Sequence, residues 1–240
     1  KGLTGSNLDE KAARDKVLAF LPGPLKEGTV LQKHSDIKGK IPGYTFVVRP
    51  SANRGVEAAV DISRKGGHIL SMINYRDVKE ARLELEEAGA KATAFLTSKG
   101  FKNMVPTYAT RSGNIAVIPF AAEIDDVLIY PDLIKVNVAL DNGEVVGYEA
   151  LGYIMSHHTR TIDKPKVSEE EARAAVNSEL KVGSTRLAII PRENTQEALC
   201  YEFKGVTSTN EPYIVYVDAA TGEEINILKI ITNDEGTTTI

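Results

Sequence analysis

The sequence predicts an α+β fold made of three tandem copies of one small module, each with one helix packed on an antiparallel sheet of three or four strands. Two features that recur three times along the 240 residues lead to this prediction: a helix start followed by an Ala-Arg pair, and a later pair of strands joined at a glycine. Their spacing places module 1 at residues 1–75, module 2 at residues 76–157 and module 3 at residues 158–240.

The predicted hairpins turn at Gly67, Gly143 and Gly222. In each copy β-branched residues lie seven and five positions before the glycine, and apolar residues lie three and five positions after it. Such alternation with a period of two is typical of a strand with one buried face. The glycine supplies the positive φ that a tight turn requires, so we assign it a turn and no phosphate-binding role.

The predicted helices begin at Asp9, Asp77 and Ser168, residue types that favour the N-cap. Ser168 and Glu171 have the spacing of a capping box. The second helix is predicted to be the longest, from Asp77 towards Gly100. Apolar residues at helical spacing predict the faces that lie on the sheets: Ala13, Val17 and Leu21; Ala81, Leu85, Ala88 and Ala92; Ala172, Val176 and Leu180.

Further strands are predicted between each helix and its hairpin, at residues 44–49, 104–111, 114–120, 187–190 and 200–204. Modules 1 and 2 follow each other almost directly, whereas a polar stretch, residues 156–166, separates modules 2 and 3. Because a unit of ~60–70 residues has a thin core, we expect neighbouring modules to share buried surface. We expect the first junction to be rigid and the second to be the more mobile.

Composition excludes several classes of protein. A net charge of −4 and a pI near 5.7 argue against nucleic-acid binding, and no apolar run approaches the ~20 residues of a membrane-spanning helix. The single cysteine, Cys200, excludes an internal disulfide and cannot form a metal site alone. Because the chain starts at Lys1 rather than Met, we expect a fragment that lacks an N-terminal part.

Histidines and serines form no recognisable catalytic motif. His157 and His158 are adjacent, so they point in different directions and rarely chelate one metal; the pattern favours a solvated pair in a polar linker. His34 and His68 are isolated in sequence, and no serine lies in a Gly-x-Ser-x-Gly motif.

Cys200 and the carboxylate clusters also favour structural roles. Cys200 opens a predicted strand, which favours a packed thiol over a nucleophile. The Asp125-Asp126 pair is typical of a solvated turn. The acidic residues 84, 86 and 87 are typical of a solvated helix surface. We therefore predict no enzyme, no catalytic, cofactor-binding or metal-binding residue, and no cofactor.

The pattern of residues 213–223, Tyr-Ile-Val-Tyr-Val-Asp-Ala-Ala-Thr-Gly-Glu, together with the capped Ala-Arg helix, resembles the PepSY family. Module 3 matches best; modules 1 and 2 depart from the family's aspartate-then-glycine turn. Three such copies, with the segments 113–120 and 147–153, resemble the C-terminal part of the YpeB family of spore-germination proteins.

This resemblance implies a spore protein with an N-terminal membrane anchor, on the extracytoplasmic side of the inner spore membrane or in the cortex region. It implies that the protein binds and stabilises the cortex-lytic enzyme SleB until germination, and the sequence leaves open whether the enzyme is inhibited or only stabilised. PepSY modules in protease propeptides imply the same inhibiting or protecting role.

Three functions stay open from the residues alone. A repeat array offers extended surfaces and sheet edges, such as 104–111, to a protein partner, with tyrosines as possible anchors (Tyr108, Tyr130, Tyr148 and Tyr153). A peptidoglycan- or small-ligand-binding module is the alternative, disfavoured by the absence of Trp and by 6% aromatic residues. An enzyme is the third reading. Neither the partner surface nor the oligomeric state follows from the sequence.

Overall fold

The computed structural model describes residues 2–26, 28–50, 55–192, 196–233 and 236–239. Its helices are α1 (Glu10–Phe20), α2 (Leu85–Ser98), α3 (Leu151–Ser156) and α4 (Glu169–Arg173), with a 3-10 turn at Gly23–Leu25. Its strands are β1 (Val30–Ile37), β2 (Gly43–Arg49), β3 (Ala58–Ser63), β4 (Ile69–Asn74), β5 (Met104–Pro106), β6 (Thr110–Ser112), β7 (Ile115–Ile124), β8 (Val127–Ala139), β9 (Val145–Glu149), β10 (Lys181–Pro191), β11 (Glu197–Val206), β12 (Pro212–Asp218), β13 (Glu224–Asn233) and β14 (Gly236–Thr239). The predicted α+β class is confirmed. None of the helices in the described ranges has the length and apolar character needed to cross a bilayer.

Modules 1 and 2 form one continuous antiparallel sheet. Strands β1 to β4 are paired in chain order, β4 pairs with β9, and β9, β8 and β7 follow, with β5 and β6 on the far edge of β7. Helices α1 and α2 cover the same face of this sheet and share one hydrophobic core. Tyr148 of β9 lies between them, its ring 5.0 Å from that of Phe20 in α1 and 6.1 Å from that of Phe95 in α2. The expected sharing of buried surface is therefore observed at this junction.

Module 3 contributes the strands β10-β11-β12-β13 to the same 14-stranded sheet and has a separate small core beneath α4. Its first strand pairs in parallel with the first part of β8, with Leu187 opposite Val127. At the other end, β14 pairs with β13 and reaches back to β6, where Gly236 lies opposite Thr110. The strands β7, β8, β10, β11, β12, β13, β14 and β6 thus close into a ring that joins modules 2 and 3. The domain boundaries stay a prediction, since strand pairing runs across each of them.

The local signals for caps and turns are confirmed at most positions. The Asp9 carboxylate accepts a hydrogen bond from the Ala12 amide at 2.8 Å, and Ser168 forms the predicted capping box at the start of α4. Gly67, Gly143 and Gly222 all have positive φ in the turns of the three hairpins.

The prediction that Asp77 begins the second helix is wrong. Helix α2 begins at Leu85, with Glu84 as its N-cap. The preceding segment is held against the β8–β9 turn instead: Arg76 forms hydrogen bonds of 2.7 and 2.9 Å to Asp141, and the amides of residues 82 and 83 both donate to the carbonyl of residue 140. These tertiary bonds replace the intrahelical bonds that a helix starting at Asp77 would form.

The helix of module 3, α4, is shorter than predicted. It ends at Arg173, after which the amides of Ala175 and Val176 bond to carbonyls three residues earlier, as in tight turns. Val176 and Leu180 are buried as expected, but as parts of these turns. Asn177 accepts a hydrogen bond from the Glu179 amide, a local bond that competes with helix.

Several elements differ from the predicted strands. Residues 104–111 form two short strands, β5 and β6, rather than one. Strand β1 was not predicted because it is an edge strand with a bulge, in which Leu31 is the one fully buried side chain. Helix α3 and strand β14 were not predicted either, because six and four residues are too few for periodicity to show.

Candidate functional site

The sheet of modules 1 and 2 has helices on one face, and its opposite face carries exposed and half-buried side chains. We call this the open face and define it by Thr45, Asp61, Ser71, Ile73, Lys135, Asn137 and Glu149. The Asp61 carboxylate crosslinks three strands, since it accepts hydrogen bonds from Thr45 at 2.7 Å and from Ser71 at 3.1 Å. Beside them Ile73 exposes 50% of its surface. The open face is thus a polar surface with one prominent apolar residue.

A shallow cavity of about 380 Å³ lies on the open face where β4, β9, β8 and β7 meet. Gly147 is one of its lining residues, and an added Cβ there would lie 2.7 Å from the Asn137 side-chain nitrogen, so a larger residue would crowd Asn137. Lys135 and Glu149 form an ion pair of 3.8 Å at its rim. This is the junction between modules 1 and 2, so two copies of the module build the cavity together.

A buried ion cluster joins modules 2 and 3. Arg160, in the linker, has a side chain that is 3% exposed and donates to both oxygens of Asp132 at 2.8 and 2.9 Å. It also donates two bonds of 2.8 Å to Glu197 at the start of β11. These carboxylates raise the pKa of Arg160, mainly through the hydrogen bonds to Glu197. We call Arg160, Asp132 and Glu197 the inter-module clamp.

The clamp depends on an irregularity in β8. The pairing of β7 with β8 jumps from Ile129 to Leu133, so residues 130–132 bulge out of the ladder. Pro131 is tolerated there because it has no amide to donate. A bulge of this kind redirects side chains, and here it directs Tyr130 and Asp132 towards module 3.

The reading of His157 and His158 as a solvated pair is wrong. The Nδ1 atom of His157 lies 2.6 Å from the fully buried carboxylate of Asp132, and its ring stacks on Tyr153 at 4.4 Å. Nδ1 of His158 lies 2.7 Å from the carbonyl oxygen of Ser156. The two rings therefore bind different partners, Asp132 and the Ser156 carbonyl, and do not face one common site.

The remaining sequence candidates lie apart from one another. His34 is exposed on β1, whereas His68 Nε2 lies 3.1 Å from the Thr4 carbonyl oxygen. Asp125 and Asp126 form the two-residue turn between β7 and β8, both with positive φ, as the solvated-turn reading predicts. Glu84 caps α2, while Glu86 and Glu87 lie in its first turn.

Cys200 is a packed thiol, as predicted. It is fully buried in β11, and burial, followed by the charge of Asp218, raises its pKa to about 12. The described residues contain no group of three or more His, Cys, Asp or Glu side chains arranged to hold a metal ion.

A second buried polar cluster lies inside the strand ring. The Glu202 side chain is fully buried; it accepts hydrogen bonds from the hydroxyls of Tyr130 at 2.6 Å and Tyr216 at 2.9 Å, and from Arg186 at 2.7 Å. Burial opposes its ionisation, but the Tyr130 hydrogen bond and the charges of Lys204 and Arg186 hold the pKa of Glu202 below its usual value. Sequence reasoning missed this cluster and the clamp, because their members lie up to 72 residues apart.

The predicted edge for strand addition, residues 104–111, is only partly available. Strand β6 lies between β7 and β14, so its second edge is engaged at Thr110. Strand β5 stays at the end of the sheet order. Of the tyrosines considered as anchors, Tyr108 is 36% exposed and Tyr148 is buried, while Tyr130 and Tyr153 are partly buried.

Comparison with known proteins agrees with this architecture. A family model described as "YpeB sporulation, PepSY1 and PepSY2 domains" matches residues 1–163, and one described as "Peptidase propeptide and YPEB domain" matches residues 166–228. The helix-and-hairpin repeats are therefore PepSY domains.

The relatives identify the family more closely. The chain is 31% identical over 230 residues to the sporulation protein YpeB of Halalkalibacterium halodurans and 32% identical over 230 residues to that of Bacillus subtilis. These alignments cover 96% and 95% of this chain and 50% of each relative, so the chain spans about half their length. The solved Bacillus megaterium YpeB C-terminal domain superposes with a TM-score of 0.83 at 33% identity, covering 94% of this chain and 99% of that one. The chain belongs to the YpeB family of sporulation proteins.

Proposed function

We propose that this chain is a non-catalytic scaffold that binds and stabilises the cortex-lytic enzyme SleB and restrains it until germination. Membership of the YpeB family supports the spore-related part of this proposal. In this role the chain acts on the extracytoplasmic side of the inner spore membrane or in the cortex region.

The observation that carries the proposal is the open face. Ile73 is 50% exposed near the middle of the sheet, and Tyr75, which follows β4, is 55% exposed. Polar side chains of Ser71, Lys135 and Glu149 surround the apolar position. An apolar anchor within a polar rim is the composition of a protein-binding patch.

A titration of the purified chain with purified SleB tests the proposal. We expect association and a lowered rate of cortex lysis. Replacing Ile73 by Lys puts a charge at the anchor and should weaken association by about tenfold, the cost of losing a moderate hot spot. Leu18→Lys is the matched control, because Leu18 is also an exposed apolar residue (37%) but lies on α1, on the helix-covered side of the sheet.

Two results would contradict the proposal. If the parent chain neither associates with SleB nor changes its lytic rate, the scaffold function is wrong. If Ile73→Lys and Leu18→Lys weaken association equally, the open face is not the binding surface. Incubation of the chain alone with muropeptides should give no products above buffer.

A cavity of about 630 Å³ on the helix side favours the alternative, a peptidoglycan- or small-ligand-binding module. Rings of Phe20, Phe101 and Tyr153 line it together with Lys99, and sugars stack on such rings while a cation attracts the carboxylates of peptidoglycan. Retention of the chain on sedimented cortex, abolished by Phe101→Ala, would favour this alternative over the first.

A further inference from the structure

The ring of strands that joins modules 2 and 3 encloses a cavity of about 390 Å³. This volume lies within the range of pockets that hold small organic ligands. The cavity is separate from the open face proposed for SleB, and its walls come from both modules and from the last strand, β14.

Most of the cavity wall is apolar. Ile190, Ile214, Leu228 and Ile230 come from β10, β12 and β13, and their side chains face inward. Leu133 completes the wall from β8. Such a wall favours a hydrocarbon segment, because burying apolar area is worth roughly 25 cal/mol per Å².

One end of the cavity is positively charged. Lys204 is the one charged residue among the described residues that line it. Behind it lies Glu202, whose carboxylate faces two cations, Lys204 at 3.3 Å and Arg186 at 2.7 Å. Burial raises the pKa of Tyr130 to about 12 and also raises that of Tyr216, so both phenols stay neutral donors. Glu202, Lys204 and Arg186 together therefore carry a net charge of +1, and one further anion would neutralise them.

We propose that this cavity binds a small amphiphilic monocarboxylate, with its hydrocarbon tail against the apolar wall and its carboxylate at Lys204. A carboxylate supplies the one negative charge that the cluster lacks, and an N–H···O bond between charged groups is about twice as strong as a neutral one. A cationic amphiphile would meet the net positive charge and is excluded by it.

The proposed ligand would also bridge the two modules. Thr107 and Tyr108, which follow β5, line the cavity together with Thr237 and Thr239 of β14. Strand β14 closes the ring through a single residue pair with β6. The Thr237 amide also donates to the Ala109 carbonyl at 2.9 Å, so β14 is held to the module 2 side of the cavity at two neighbouring points.

The test is titration calorimetry of the chain with decanoate, decanol and decylammonium, each below its critical micelle concentration. We expect decanoate to bind about tenfold more tightly than decanol, the difference that one charged hydrogen bond supplies, and decylammonium to bind least. Lys204→Met should abolish the preference for decanoate over decanol. Lys135→Met is the matched control, since it removes another strand lysine that pairs with a glutamate but lies on the open face.

Leu228→Trp fills the cavity and should abolish binding of all three compounds. Circular dichroism and thermal melting verify that each variant is folded. The proposal is overturned if the parent chain binds none of the three or binds them equally. It is equally overturned if decanoate affinity is the same in the parent, Lys204→Met and a folded Leu228→Trp, because the binding site would then lie elsewhere.

Discussion

Removal of the Arg160 side chain should reveal how strongly modules 2 and 3 are joined. Arg160→Met keeps much of the side-chain length but leaves Asp132, fully buried, without the guanidinium that binds both its oxygens. Loss of one partner from a buried ion pair costs about 3–5 kcal/mol. His157 still contacts Asp132, and Glu197 is 21% exposed and can be hydrated, so the lower end, about 3 kcal/mol, is expected.

Urea unfolding followed by circular dichroism measures this loss. For a chain of this size about 3 kcal/mol also lowers Tm by roughly 6–12 °C. Lys135→Met is the control: its ion pair with Glu149 is exposed and 3.8 Å long, so its removal should change stability by less than about 0.5 kcal/mol.

A double-mutant cycle separates the ion pair from packing. Asp132→Asn removes the buried negative charge, so in its presence Arg160→Met should cost at least about 1.5 kcal/mol less. Additive effects within about 0.5 kcal/mol would refute the reasoning, because the two groups would then be energetically independent. A loss below about 1 kcal/mol for Arg160→Met alone would also refute it.

Three further outcomes are expected. Hydrogen bonds from Arg76 hold the pKa of Asp141 well below its usual range, so this carboxylate stabilises the fold above its unfolded pKa of about 4 and ceases to do so as pH falls through its folded pKa. Asp141→Asn should therefore cost about 1–2 kcal/mol near neutral pH. Urea unfolding down to about pH 3 should show a shallower loss of stability in the variant than in the parent. Gly66→Ala should destabilise more than Gly222→Ala in thermal melts, since both have positive φ but only at Gly66 would the new Cβ lie 1.9 Å from a backbone oxygen; equal losses would contradict this. Cys200, with its pKa raised to about 12 by burial, should resist a chromogenic disulfide reagent in the folded chain and react in urea, whereas fast labelling of the native chain would show the thiol to be accessible.

The sequence predicted those parts of the fold whose causes are local. A cap such as Asp9 needs one amide three residues away, and a hairpin glycine such as Gly143 needs only its own positive φ. Asp77 has the same local pattern and still starts no helix, because Arg76 and the amides after it bind a turn some 60 residues further on. Distant partners of this kind have no periodic signature in the sequence.

The candidate sites were beyond sequence reasoning for the same reason. The clamp unites residues 132, 160 and 197, and the Glu202 cluster unites residues from β8, β10, β11 and β12. One indirect signal exists: Pro131 in the middle of a long strand pattern indicates a bulge, and the bulge is what directs Tyr130 and Asp132 across the junction.

The two junctions are therefore different in kind, although the modules are copies of one unit. Modules 1 and 2 share an apolar core around Tyr148, and the Lys99 ammonium lies over the rings of Phe20 and Phe95 at 5.0 and 5.3 Å. Modules 2 and 3 meet through two smaller apolar clusters, one around Ile129 and one around Leu128, through the buried charges of the clamp, and through the strand ring that β14 completes. A buried ion pair contributes less net stability than the same area of apolar contact. Removing one partner of the pair is nevertheless costly, because the other charge is then buried without a partner. We therefore expect the second junction, more than the first, to weaken when a single charged side chain such as Arg160 is removed.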